Sequence, residues 1–312
     1  MLAVTRPIVM VGVPTALGGH LSGMERTPAE LRALGLVDAI RLRPRLHRTG
    51  IRDSGDLPID PGFVPDADPR AKNRARICDF LPRERDLIAS ALGASDGLDA
   101  GAPDSALFIV GGDCTAHAGA MAGLRRARPG RRLAIAWFDA HGDFNTPDTT
   151  PSGNVWGMPF AMLCGRGDRD LVAACDGPTV EERHAALLGG QVLDETESRM
   201  LAASPIAQFG AGMLGTTAGM AALAAWAGAV AREVDGLYIA FDMDCLDAAD
   251  GWAVTMPEAG GLSLLTALAA VRTLAGAIPV AGFGVTAVTL ANGDGPKTLD
   301  AIARIAEAAF AA

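Results

Sequence analysis

The chain has 312 residues, 49% of them hydrophobic, which is enough apolar side chain for a sizeable core and too much for a disordered segment. Its formal net charge is −9 and it has no dense basic run, which argues against nucleic acid or an anionic membrane as a main partner. No stretch reaches the ~18 apolar residues of a membrane span.

The elements follow in chain order. Ile8–Val13 is a short apolar run bounded by proline on both sides, and reads as a strand. Arg6–Leu17 has the charge-then-apolar order of a signal peptide, but Pro14 and the Gly18-Gly19-His20 that follow suit a strand and loop better. Leu46–Asn73, rich in Pro, Asp and Arg, is expected to be a long rim excursion. Further strands are predicted at Leu107–Val110, Leu133–Phe138, Ile206–Phe209, Leu237–Phe241 and Val280–Val285. Between them, helical spacing marks Pro82–Leu92, Ala116–Ala127, Glu195–Ala203, Ala218–Val234, Ser263–Ala275 and Lys297–Ala311. Alternating strands and helices predict an α/β fold of three layers, αβα, around a mostly parallel central sheet. With no linker and no repeat, residues 1–312 read as a single domain.

In such sheets ligands gather beyond the carboxyl ends of the strands. Three of the predicted strands end in polar groups there: Val110 leads to "GGDCTAH", Phe138 to "DAHGD", and Phe241 to "DMDCLD". Side chains at i, i+2 and i+4 of an extended segment share a face, so Asp139, His141 and Asp143 are expected to converge, as are Asp242 and Asp244. Four crowded carboxylates raise one another's pKa unless a cation neutralises them. Carboxylates with one imidazole suit Mn²⁺ better than the thiolates of a structural zinc site do. Against this, an Asp at a strand end often does no more than cap the next helix.

The order of these motifs resembles the ureohydrolase family, which includes arginase, agmatinase and formiminoglutamase. The resemblance runs from "GVPTALGGHLSGMERTPAELRALGL" to "VAGFGVTAV", and is strongest in "DAHGDFNTPDTTPSGNVWGMP". It implies an arginase-like fold and two Mn²⁺ ions. Cys114, Asp139, Asp143 and Asp242 would hold one; Asp139, His141, Asp242 and Asp244 the other, with Asp139 and Asp242 bridging. It also implies catalytic roles for Asp143 and His141, a metal-bridging hydroxide that attacks a linear amidine, and substrate contacts at Asn145, Thr150, Ser152, Asn154 and Trp156. Trimers or hexamers are implied as well, or a hetero-oligomer with a homologue.

Four departures bear on function. Cys114 stands where the family has His, which would weaken one metal site, turn it towards Zn²⁺ or leave it empty; His117 is a possible substitute ligand or a partly buried helix residue. Trp156 replaces a proton-exchanging His. Ala287 replaces the Glu that pairs with guanidinium, and Glu258 is either a replacement acid or a surface residue. The acids expected after the strand matching Ile206–Gly210 are missing, since "GAGMLG" is neutral. Hydrolysis of a guanidino, hydroxyguanidino or formimino compound other than arginine is therefore expected, with a catalytically impaired binding or partner subunit as the alternative. A Rossmann-type nucleotide binder lacks support, because "GVPTALGG" does not have the dinucleotide spacing. Five widely spaced cysteines with no CxxC suggest free thiols and a cytoplasmic protein.

Overall fold

A computed structural model describes residues 6–58, 68–93 and 105–311. In chain order the strands are β1 (Ile8–Val13), β2 (Ile51–Asp56), β3 (Ala106–Gly111), β4 (Leu133–Asp139), β5 (Ala185–Gly189), β6 (Ala207–Gly210), β7 (Gly236–Asp242) and β8 (Val280–Thr286). They form one eight-stranded sheet in the order β2-β1-β3-β8-β7-β4-β5-β6, and every adjacent pair is parallel.

The alternation of side chains along these strands divides the interior in two. Ile8, Met10, Phe108 and Val110 point into one layer, while Val9, Val11, Leu107 and Ile109 point into the other. Strands buried on both faces read as continuous apolar runs, which is why most were visible in the sequence. The first layer is covered by α1 (Thr27–Ala33) and α2 (Leu36–Arg41) early in the chain. Later in the chain α9 (Thr217–Val230), α10 (Leu264–Ala277) and α11 (Gly295–Phe310) complete it. The second layer is covered by α3 (Arg74–Gly93), α4 (Ala116–Ala127), α5 (Pro159–Leu163), α6 (Arg169–Ala174) and α7 (Glu195–Ala202). A short α8 (Ala211–Leu214) follows β6. The αβα architecture is as expected, and the sheet is parallel throughout.

Three expectations need correction. The predicted excursion Leu46–Asn73 contains β2, an edge strand paired with β1; its sequence IRDSGD is half exposed and polar, so no apolar run announced it. Residues 59–67 of that excursion lie outside the described residues. β5 was missed because AALLG is short and alanine-rich, although all five residues are buried between β4 and β6. Helix α3 begins at Arg74, ahead of the predicted start at Pro82, which lies inside it. Ile77, Phe80, Leu81, Glu84, Ile88 and Ala91 recur at helical spacing and bury one face, so packing outweighs the proline.

Candidate metal centre

The site lies beyond the carboxyl ends of five neighbouring strands, β3, β8, β7, β4 and β5. At three of these ends an Asp turns the chain in the same way. The Asp113, Asp139 and Asp242 Oδ1 atoms accept the backbone N–H two residues on, from Thr115 (2.9 Å), His141 (2.7 Å) and Asp244 (2.8 Å). These Asx turns, rather than extended backbone, bring the acids together. β4 stops at Asp139 and β7 at Asp242, so the expected strand alternation gives way to turns at the point where the side chains meet.

Two compact groups of ligand atoms result. Cys114, Asp139 and Asp242 form one and Asp139, His141 and Asp244 the other, each with its ligand atoms within 4.8 Å of one another. Asp139 belongs to both. Asp242 belongs to the first only, and Asp143 stands outside both, although it lines the same cavity. Cys114 Sγ donates to Asp242 Oδ2 at 2.8 Å, the Ala140 N–H donates to Asp244 Oδ1 at 3.0 Å, and the Trp137 Nε1–H fixes Asp139 Oδ2 at 3.0 Å. His141 Nδ1 lies 3.2 Å from Asp244 and 3.3 Å from Asp139, so this nitrogen faces the acids. Its Nε2 faces Glu258 at 3.7 Å. Glu258 therefore faces His141, beyond the reach of a direct hydrogen bond.

The electrostatics ask for positive charge. Burial, then the charge on Asp139, pushes Asp143 well above the usual carboxylate range; burial and Asp244 do the same to Asp242. Asp244 is pushed up to about 6 by burial and Asp139. Burial, then the surrounding carboxylates, drives the Cys114 thiol up. Burial opposes charge on His141, but its hydrogen bonds to Asp139 and Asp244 hold the imidazolium well above its ordinary range. Asp143 Oδ2 is buried with no protein partner, and Asp143 takes the left-handed conformation at φ 49. Shared carboxylates, a facing imidazole, a thiol and an unpaired carboxylate oxygen suit divalent cations, so the residues present fit a metal centre.

A cavity of about 350 Å³ opens above these groups. Asn145, Thr150, Ser152, Asn154 and Trp156 all line it. Their polar groups are also tied locally. Asn145 Nδ2 donates to Asp194 Oδ2 (2.7 Å) and Glu197 Oε1 (3.3 Å), and its Oδ1 accepts from Thr149 (2.9 Å). Thr150 Oγ1 accepts from the N–H groups of Ser152 and Gly153. Asn154 bridges Lys72 Nζ (3.1 Å) and His20 Nδ1 (2.9 Å). The Trp156 ring rests on Gly19, where a Cβ would overlap it, and lies 5.5 Å from the His20 ring. Ala287 also lines the cavity, buried beside Gly112, whose carbonyl accepts its N–H, at φ 59.

His117 is not a ligand. It is fully buried, with Nδ1 2.9 Å from the Tyr238 hydroxyl and Nε2 3.1 Å from Thr286 Oγ1, and burial brings it down to about 3. The further pocket acids, Asp194 and Glu197, come from the N-cap and first turn of α7 after β5, not from beyond β6, where Ala211–Leu214 forms the neutral α8. There Asp194 caps α7 by accepting from the Thr196 and Glu197 N–H groups at 2.9 Å, and Glu197 accepts from Phe144 N–H at 2.9 Å. Burial, then Asp194, raises Glu197 to about 7. In sequence Asp194-x-x-Glu197 reads as a capping box, which masked its second use. His20, Thr255 and Met256 also line the cavity and were missed, having only turn-rich context to mark them.

A cleft of buried acids at the carboxyl end of a parallel sheet is the ligand site of an α/β enzyme. Residues 6–311 match the Arginase family. The chain is 31% identical to the arginase of Bacillus caldovelox over 274 residues, covering 86% of each chain, and 29% identical to that of Bacillus subtilis (strain 168) over 263 residues, covering 83% and 82%. Its structure is similar to that of the Bacillus caldovelox enzyme, with a TM-score of 0.85 at 26% identity over 98% of both chains. The chain belongs to the arginase family, and is a hydrolase of the ureohydrolase class. No described helix is long and apolar enough to cross a membrane.

Proposed function

We propose that the chain hydrolyses a non-peptide C–N bond in a linear amidine less basic than arginine. The observation that carries this reading is one cavity that joins a cation-demanding acid cluster to a reacting end without a carboxylate at position 287. Cys114, Asp139, His141, Asp143, Asp242 and Asp244 would hold two divalent ions, Mn²⁺ by resemblance. Such a pair, when bound, lowers the pKa of water enough to supply a nucleophile near neutral pH.

The remaining steps belong to the chain's own side chains. Asp143, which lines the cavity and has an Oδ2 without a protein partner, would take the proton of the attacking water and return it to the leaving amine. His141 holds its Nδ1 towards Asp139 and Asp244, with Glu258 3.7 Å from its Nε2. Asp194, Glu197 and Asn145 suit an ammonium-bearing tail, and Thr150, Ser152 and Asn154 supply polar contacts along the same wall. Ala287 offers no bidentate partner to a planar cation, and Trp156 gives an apolar or stacking wall where a proton-exchanging group is absent. A substrate with a cationic tail and a weakly basic head matches this polarity.

The test is a panel of guanidino, N-hydroxyguanidino and formimino compounds given to the isolated, metal-loaded chain, with release of urea, hydroxyurea, formamide or ammonia measured. Turnover of a less basic member above arginine, abolished by Asp242→Ala, is the expected result. The same two residues, Ala287 and Trp156, favour the alternative of a binding or partner subunit. Absence of turnover across the panel, with metal bound, would establish that alternative instead.

A further inference from the structure

Behind Cys114 lies a buried chain of polar side chains that the hydrolytic reading does not use. His117 is the second residue of α4, and its ring nitrogens meet Tyr238 of β7 and Thr286 of β8. Tyr238, His117 and Thr286 each have no exposed surface, and Cys114 is 8% exposed. The Tyr238 hydroxyl is 2.9 Å from His117 Nδ1, His117 Nε2 is 3.1 Å from Thr286 Oγ1, and Thr286 Oγ1 is 3.8 Å from Cys114 Sγ. Gly284 makes room for this row, since a Cβ there would overlap the Tyr238 hydroxyl and crowd the His117 ring. The Trp137 ring closes the other side, edge-on to His117 at 5.1 Å.

The row of hydrogen bonds can run in either direction, set by the tautomer of His117. Burial keeps His117 neutral, so it has one N–H. With that proton on Nε2 it goes to Thr286 Oγ1, and the Tyr238 hydroxyl donates to Nδ1. The threonine hydroxyl has accepted one bond and has its own hydrogen to give, with the Cys114 sulphur as the acceptor. A sulphur that receives a hydrogen bond in a dry site is stabilised as an anion, the form in which it binds a cation.

We propose that Thr286, His117 and Tyr238 are positioning residues that deliver a hydrogen bond to the Cys114 sulphur, so that it serves as a thiolate ligand and the site takes a thiolate-tolerant divalent ion of the zinc or cobalt kind in preference to manganese. This rests on the metal centre proposed above. When the ion binds, the thiol proton leaves to solvent and the S–metal bond forms in its place, one proton for one ligand. Imidazole is thus replaced as ligand by sulphur, and the imidazole one turn further on supports that sulphur from behind.

Co²⁺ is the probe, because a bound thiolate gives an intense near-ultraviolet sulphur-to-cobalt charge-transfer band that oxygen and nitrogen ligands do not. Apo protein would be titrated with Co²⁺ alone, with ion binding followed independently by equilibrium dialysis. The expected result is a band in the wild type that is lost in Cys114→Ser. Thr286→Val keeps the shape and removes the hydroxyl; it should displace the band and weaken Co²⁺ binding by roughly 10–100-fold. Mn²⁺ affinity should change much less, a selectivity that general loss of structure would not produce. Stoichiometric Co²⁺ binding without the band would overturn the proposal while leaving the metal centre standing. An unchanged band and affinity in Thr286→Val would overturn the role of the hydrogen-bond chain. Failure to bind Co²⁺ at all would overturn both this inference and the metal centre beneath it.

Discussion

Asp139 and Asp242 each serve twice. Asp242 Oδ1 turns the backbone by accepting the N–H two residues on while its Oδ2 accepts from Cys114; Asp139 Oδ1 does the same turn and also faces His141 Nδ1, with its Oδ2 held by Trp137. Ala287 is the opposite case, a cavity residue in a left-handed conformation that contributes a methyl and no charge. Ala287→Glu should restore a carboxylate at the reacting end. A charge-assisted contact of about 1.5–3 kcal/mol predicts a shift in kcat/KM ratio of roughly 10–100-fold towards guanidinium substrates over less basic ones. Steady-state kinetics on paired substrates would check it, and an unchanged ratio would mean that Ala287 does not face the reacting group. Glu84 makes a separate residue-scale case. It is fully buried in α3 with neither carboxyl oxygen bonded to a protein group, and burial, then the Asp113 charge, holds it well above its ordinary range. The folded state therefore keeps its proton where the unfolded state loses it. Its contribution to stability is complete below the ordinary glutamate pKa of about 4.3 and is lost progressively as pH rises. Glu84→Met should accordingly stabilise the protein, by about 1–3 kcal/mol near pH 7, with an advantage that widens from pH 5 to pH 8 in urea unfolding. A constant difference across that range would refute the titration.

At the scale of elements, the site depends on how closely the loops after β1 and β3 approach each other. A Cβ at Gly112 would overlap the Thr15 carbonyl oxygen, and the Gly112 N–H and Asp113 N–H are bonded to Val13 and Thr15 across that gap. Gly112→Ala is predicted to cost several kcal/mol by forcing these backbones apart, and to displace Asp113 and Cys114 with them. Gly276 in α10 has no atom within 4 Å of the position a Cβ would take, so Gly276→Ala should stabilise by about 0.5–1 kcal/mol. Thermal unfolding of the pair would show opposite signs, and equal signs would contradict the packing described. The same elements explain what the sequence disclosed. Strands buried on both faces, such as β4 and β7, were evident from continuous apolar runs that stop at an Asp. β2 was hidden because an edge strand needs no apolar side chains, and β5 because alanines pack as well in helices. Asp194 and Glu197 were hidden because a helix cap and a pocket wall use the same residue types. The links from His117 to Tyr238 and from Cys114 to Thr286 were hidden because these partners lie 121 and 172 residues apart in the chain and meet only through the sheet order.

For the molecule as a whole, five strand ends converge on one acid cluster, and the folded state holds together carboxylates that repel one another. The unfolded chain has no such arrangement, so divalent ions should bind the native state far better and raise its stability. At a free ion concentration 100 times Kd, each site contributes about 2.7 kcal/mol. Chelation should lower the melting temperature by several degrees, and Mn²⁺ or Zn²⁺ should restore it in the wild type but not in Asp139→Ala, which removes the ligand common to both groups. The most direct measurement of the central claim is the number of divalent ions held per chain. After loading and exhaustive dialysis, metal analysis of the acid-digested protein should return two equivalents in the wild type and fewer in Asp242→Ala. Less than one equivalent in the wild type, under loading conditions that fill a control metalloprotein, would mean that these acids do not form a metal centre.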